Sequence, residues 1–194
     1  MRGSFVRPIA EVVFDENLRL IPCNPSHQSA IFEAMNENLA DIDQAMPWLD
    51  VEDPLPPQLE RYLHDVERYG RGGLSYHWSV IFSDGFAGLI ALDHTSTLIE
   101  GHWNLGYWIR RSCQQKGLAS KSIDAILNWI GRGGLTSVEM AVSPDNIAGL
   151  RTVESAARRW NGYPLGEQID AEVGGELVAH DCWLIPRLPL EGSK

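Results

Sequence analysis

The chain has 194 residues, an apolar content of 44% and a formal charge of −10, which fits one globular domain over residues 1–194 and excludes a disordered chain. The acidic balance excludes a general affinity for DNA or RNA, because phosphate contacts draw on clustered Lys and Arg. It suits cationic substrates such as amines.

In chain order, Leu18 to Ile21 reads as a first strand, and Asn24 and Pro25 supply a cap and a first helical residue for the segment that follows. Ala30, Ile31, Ala34 and Met35 give that helix its apolar face. The Pro-rich break from Asp53 to Pro57 precedes a second helix, in which Leu59, Tyr62, Leu63, Val66 and Tyr69 recur at helical spacing. Tyr76 to Phe82 and Phe86 to Asp93 read as strands of a hairpin joined by Ser83-Asp84-Gly85.

The next strand runs through Gly106, Tyr107, Trp108 and Ile109 and breaks into a polar loop, after which Leu118, Ala125, Ile126, Trp129 and Ile130 mark a helix. Val138, Met140 and Val142 alternate as a strand, a helix follows Asn146, and Leu177 to Leu184 closes the chain as a strand paired with the segment before Gly174-Gly175. The order is α+β, a mostly antiparallel sheet with one strand-helix-strand unit that demands a parallel pair.

The polar loop carries the chemistry. Gln114-Gln115-Lys116-Gly117-Leu118-Ala119 has a Q-x-x-G-x-A spacing. Gly and Ala keep the first helical turn free of bulk, so backbone N–H groups from about Lys116 to Ser120 converge on an anion at the positive helix end. The chain has neither G-x-x-x-x-G-K-[ST] nor G-x-G-x-x-G, so the P-loop and Rossmann readings do not apply. Cys23, Cys113 and Cys182 are odd in number and lack a C-x-x-C spacing, which predicts reduced thiols. No pair of His stands at ligand spacing on a helix, and no metal is expected. No apolar run approaches the ~18 residues of a membrane span and no signal peptide is visible, so the expected compartment is the cytoplasm.

The loop resembles motif A of the GNAT superfamily of acyl-CoA-dependent N-acetyltransferases, whose [RQ]-x-x-G-x-[GA] segment binds the pyrophosphate of coenzyme A. Leu105-Gly106-Tyr107-Trp108-Ile109, Ser143-Pro144-Asp145-Asn146, Met46-Pro47-Trp48-Leu49 and Asp181-Cys182-Trp183-Leu184 are similar to the RimJ/RimL branch, the ribosomal-protein N-terminal acetyltransferases. The resemblance spans about residues 18–184. It implies a GNAT fold whose two central parallel strands splay apart, with acetyl-CoA as co-substrate and no metal.

From the resemblance, the cofactor residues are Gln114, Gln115, Lys116, Gly117, Leu118, Ala119 and Ser120, the backbone of Trp108, Ile109 and Arg110, and Asn146. Glu100, His102 and Asn104 share one face of the strand that enters the loop, and His102 and Glu100 are the candidate bases. Asn104 stands where many relatives carry an acid, and orients an amine or a water instead. Three residues after Asn146 the branch commonly has a hydroxyl that protonates the thiol; this chain has Gly149, leaving Thr152 or water for that step, or impaired catalysis. Trp48 and Trp103 are candidate walls for the substrate, with acidic residues Asp41, Asp43, Asp50, Glu52 and Asp53 near Trp48; Trp108, Trp129 and Trp183 are expected in the core.

The implied activity is acetyl transfer to a primary amine by direct attack, with a protein N-terminus (such as a ribosomal protein's) or a small molecule as acceptor and a monomer or homodimer as the working unit. The competing reading is a non-catalytic GNAT-like module that binds CoA or a partner.

Overall fold

The structure is a computed structural model that describes residues 8–37, 39, 46, 49–50, 52–93, 103–132, 137–173 and 176–186. Eight strands form one sheet: β1 (Val12–Val13), β2 (Leu18–Pro22), β3 (Ser75–Phe82), β4 (Gly85–Asp93), β5 (Trp103–Ile109), β6 (Val138–Val142), β7 (Tyr163–Val173) and β8 (Glu176–Ile185). Their order across the sheet is β1-β2-β3-β4-β5-β6-β8-β7, and β5 with β6 is the parallel pair. Among the described residues four α-helices accompany them: α1 (Gln28–Met35), α2 (Leu55–Gly72), α3 (Leu118–Arg132) and α4 (Ile147–Arg159). The α+β reading and its strand order hold, with β1 as an additional edge strand.

Local chemistry explains the elements. Ser83 and Asp84 both take positive φ, 49° and 63°, the backbone that turns a two-residue hairpin with the right twist between β3 and β4. Asn24 accepts from the Ser26 amide and opens a short 3-10 turn, Pro25–His27, ahead of α1. Pro56 and Pro57 lie within the first turn of α2 rather than before it, because the orphan amides of that turn need no partner and proline has none to offer.

The two faces of the sheet are covered separately. Tyr76, Trp78, Trp103, Val138 and Met140 pack with Ile126, Trp129 and Ile130 of α3 and Val153 of α4. Tyr76 meets Trp103 at 5.2 Å and Trp129 at 4.9 Å between ring centroids, an aromatic knot at the middle of that core. On the other face α1 and α2 bury Ile31, Met35, Leu59 and Leu63 against Leu89 and Trp108. Trp108, Trp129 and Trp183 are all buried, as expected. Among the described residues no helix is long and apolar enough to cross a membrane.

Candidate active site

The site begins where β5 and β6 part. They are paired at Trp103↔Val138 and Asn104↔Glu139. Beyond those rungs β5 continues beside β4 as far as Gly88↔Ile109, and β6 continues beside β8 as far as Val142↔Asp181. The result is a wedge-shaped gap between the carboxyl ends of two parallel strands, the position at which open α/β sheets take ligands. Helix α3 starts at the end of β5 and α4 just past the end of β6, so two helix N-termini with their positive dipole ends flank it.

Strand parity decides which backbone groups line that gap. The Arg110 amide donates to the Ala87 carbonyl at 2.9 Å, and the Trp103 amide donates to Ser137 at 3.2 Å. Alternate residues turn their polar groups to opposite neighbours, so Trp108 and Arg110 belong to the β4 ladder while Tyr107 and Ile109 face the gap. Of the Trp108 to Arg110 backbone expected to face the cofactor, Ile109 faces the gap, whereas Trp108 and Arg110 are bonded to β4. The Ile109 carbonyl accepts from Gln114 Nε2 at 3.0 Å. Gly88 lets β4 approach at this level, since a Cβ there would lie 2.1 Å from the Trp108 carbonyl oxygen.

The loop that follows is built in two halves. Its first half is a 3-10 turn, Arg111–Cys113, closed by the Cys113 and Gln114 amides on Arg110 and Arg111 carbonyls. The second half bends through Gln115 at φ 61° and Gly117 at φ 72° into α3, and Lys116 Nζ donates to the Ser112 carbonyl at 3.1 Å. The Lys121 amide reaches the Gly117 carbonyl. Among the described residues the amides from Gln115 to Ser120 meet no backbone acceptor, which leaves a run of donors over an open surface. A Cβ on Gly117 would touch nothing within 4 Å. Glycine is there for its left-handed backbone and for the clearance in front of those amides.

Across the gap, Asn146 caps α4: its side-chain oxygen accepts from the Gly149 amide at 2.8 Å. Gly149 follows from that cap, since a Cβ on it would come within 2.7 Å of Asn146 Nδ2 and 2.9 Å of Val142 Cγ1. A serine at this position and the capped asparagine exclude each other in this arrangement. Thr152 Oγ1 donates to the Ala148 carbonyl at 3.0 Å. The Tyr107 hydroxyl lies beside it, and burial pushes the Tyr107 phenol above its ordinary value, so it keeps its proton at neutral pH. Asp124, midway along α3, accepts from Arg159 at 2.9 Å and from Trp160 Nε1 at 2.7 Å, tying α3 to the C-terminal end of α4.

On the face under α1 and α2, Asn104 is half-buried, with Asp93 beside it on β4 and the buried Glu139 beside it on β6. Asp93 Oδ1 lies 3.0 Å from His77 Nε2, and His77 Nδ1 lies 2.8 Å from the Tyr62 hydroxyl. The Asp93 carboxylate can only accept, so His77 Nε2 carries the hydrogen between them, and burial raises the Tyr62 phenol well above its usual range, so that it keeps its own proton.

Trp103 needs a correction. It is an odd-numbered residue of β5 and points into the α3/α4 core, 6% exposed and against Tyr76, so it offers no surface to a substrate. Trp48, Glu100 and His102 lie outside the described residues. Tyr107, His77 with Asp93, and Glu37 were not singled out from the sequence. Tyr107 sits inside the motif-bearing strand and was legible there; the others are brought to the site by pairing across distant segments.

A family model described as an acetyltransferase (GNAT) domain matches residues 17–156. No curated protein matches the chain. Among solved structures, the chain is similar to RimL, a ribosomal L7/L12 alpha-N-protein acetyltransferase in complex with coenzyme A, at 17% identity and a TM-score of 0.77 over 93% of this chain and 98% of that one. The ribosomal-protein-S5-alanine acetyltransferase from Vibrio fischeri is similar at 12% identity and a TM-score of 0.76, with 96% and 100% of the chains covered. A microcin C7 self-immunity acetyltransferase in complex with acetyl-CoA and AMP is similar at 15% identity and a TM-score of 0.72, over 88% and 93%.

Proposed function

Because the chain belongs to the GNAT acetyltransferase family, we propose that it moves the acetyl group of acetyl-CoA to a primary amine by direct attack. The observation that carries this reading is the run of unbonded amides from Gln115 to Ser120, at a helix N-terminus beside the wedge between β5 and β6. Those amides, Lys116 and the clearance at Gly117 suit a diphosphate, and the gap-facing groups of Tyr107 and Ile109 suit the amides of the pantetheine arm, which pair with an open strand edge. The bound co-substrate supplies an acetyl thioester.

The chain's own groups then have three tasks. The acceptor must be held as an amine facing the wedge, and a base must take its proton. His102 and Glu100, shortly before β5, are the candidates for that base. The departing thiolate needs a proton, for which the Tyr107 hydroxyl, kept protonated by burial, stands in place of the hydroxyl that Gly149 lacks.

The structural relatives named for alpha-N-protein and ribosomal-protein acetylation favour a protein N-terminus as acceptor. The relative bound to AMP favours a small-molecule amine. A non-catalytic CoA-binding module is the second reading, motivated by Gly149, whose tight fit against Asn146 and Val142 disfavours the usual serine. Release of free thiol from acetyl-CoA, measured across peptide N-termini and small amines, decides among them. Turnover with any of these amines supports the enzyme, and CoA binding without turnover of any amine supports the module.

A further inference from the structure

Glu37 stands just beyond α1, anchored by its own amide on the Ala34 carbonyl, and its carboxylate crosses to the start of the anion loop. Oε1 accepts from Arg110 Nε at 3.0 Å, from Arg110 Nη2 and from Ser112 Oγ at 3.0 Å, while Oε2 accepts from the Ser112 amide at 3.0 Å. The same guanidinium donates to the Phe86 carbonyl at 3.1 Å and to Glu33 at 3.3 Å. The Arg110 side chain is thereby committed to protein partners on β4 and α1, and its charge is answered before any anion arrives. The Ser112 amide is likewise turned to Glu37.

The expectation for Arg110 concerned its backbone; its side-chain cation and the Ser112 amide are both taken by one carboxylate. Among the described residues, the second half of the loop, from Gln115 onward, keeps a continuous run of amides that meet no backbone acceptor. The position of those donors depends on how the first half is pinned. That pin is Glu37, which also joins the loop to the helix leading into the stretch of residues 38–54, where the sequence places the substrate wall.

We propose that Glu37 is the positioning residue of the diphosphate loop: it fixes Arg110 and Ser112 so that the amides from Gln115 to Ser120 converge. This inference rests on the acetyl-CoA reading. It makes a prediction opposite in sign to simple electrostatics. Removing a negative charge near an anion site would strengthen anion binding if Glu37 acted only through its field. A positioning role requires the reverse.

The test is calorimetric titration of CoA into wild-type protein and the Glu37→Gln, Ser112→Ala and Glu33→Gln variants, with KM measured for acetyl-CoA and for the amine. Glu37→Gln should weaken CoA binding about tenfold, the equivalent of one charge-assisted hydrogen bond, raise KM for acetyl-CoA, and leave KM for the amine unchanged. Ser112→Ala, which removes a single donor to the same carboxylate, should shift CoA affinity in the same direction by less. Glu33→Gln, an exposed residue with one contact to Arg110, should change nothing. Unchanged or tighter CoA binding in Glu37→Gln overturns the inference, as does an equal rise in both KM values. Should Glu37→Gln fail to fold, wild-type CoA affinity in Ser112→Ala overturns it. Wild-type protein that takes up no CoA overturns both this inference and the acetyl-CoA reading, whereas wild-type binding with an indifferent Glu37→Gln variant overturns this one alone.

Discussion

Gly117 and Gly149 are both glycines at the rim of the wedge, for different reasons. Gly117 has a left-handed φ of 72° and open space beyond its Cα. Gly117→Ala should therefore fold with a loss of about 1 kcal/mol from the left-handed backbone, whereas Gly117→Glu places bulk and negative charge before the free amides. Calorimetry on Gly117→Glu should show no measurable CoA binding in a folded protein. Unchanged affinity would remove the loop from the cofactor site. Gly149 is instead hemmed in by Asn146 and Val142. Gly149→Ser should cost ~1–3 kcal/mol of overpacking strain, a fall in Tm on the order of 5 °C, and should not raise kcat despite restoring a hydroxyl. A stable and faster variant would mean that Asn146 leaves its cap readily. Tyr107→Phe, by contrast, should preserve the fold and lower kcat by about 10²-fold or more if its hydroxyl protonates the thiolate.

At the level of elements, the site is an agreement between helices and strand ends. α3 presents free amides, α4 presents Asn146, and the Asp124 contacts with Arg159 and Trp160 keep the two aligned. α1 joins them through Glu37, whose carboxyl is held down to about 2 by the Arg110 guanidinium first and the Ser112 amide second. The folded value lies below the ordinary 4.5, so this ion pair contributes its full stability above that pH and loses it as the pH falls toward 2. The Tm difference between wild type and Glu37→Gln should accordingly stay constant from about pH 7 to 5 and shrink below 4.5. A difference that persists at pH 2 would assign Glu37 a role independent of its charge.

For the molecule as a whole, burial sorts the thiols. Cys23 and Cys182 are buried and pushed up to about 12, Cys23 by desolvation and Cys182 by desolvation together with the charges of Glu139 and Asp181. Cys113 sits half-exposed in the anion loop. Mass spectrometry after brief alkylation at pH 8 should find Cys113 modified alone, with Cys23 and Cys182 modified only after denaturation. CoA should protect Cys113 if the loop closes over the diphosphate. Simultaneous modification of all three in native protein would contradict the packing of both faces of the sheet.

The sequence by itself determined the elements and the turn that leads into α3, because both depend on local chemistry. Alternation in β6, helical spacing in α2 and α3, the turn at Ser83-Asp84 and the spacing from Gln114 to Ala119 act within a few residues. The cap at Asn146 belongs to the same class. Tertiary structure decided what depends on neighbours far away in the chain. Pairing parity between β4 and β5 turned Tyr107 and Ile109 to the wedge and Trp103 into the core. A carboxylate that no motif marks, Glu37, was carried by α1 to Arg110, 73 residues on, and took that cation away from any ligand. Sequence spacing reports which residue types stand at a loop, but only packing decides which of their donors are left free, because each hydrogen bond made inside the fold is one no longer offered outside it.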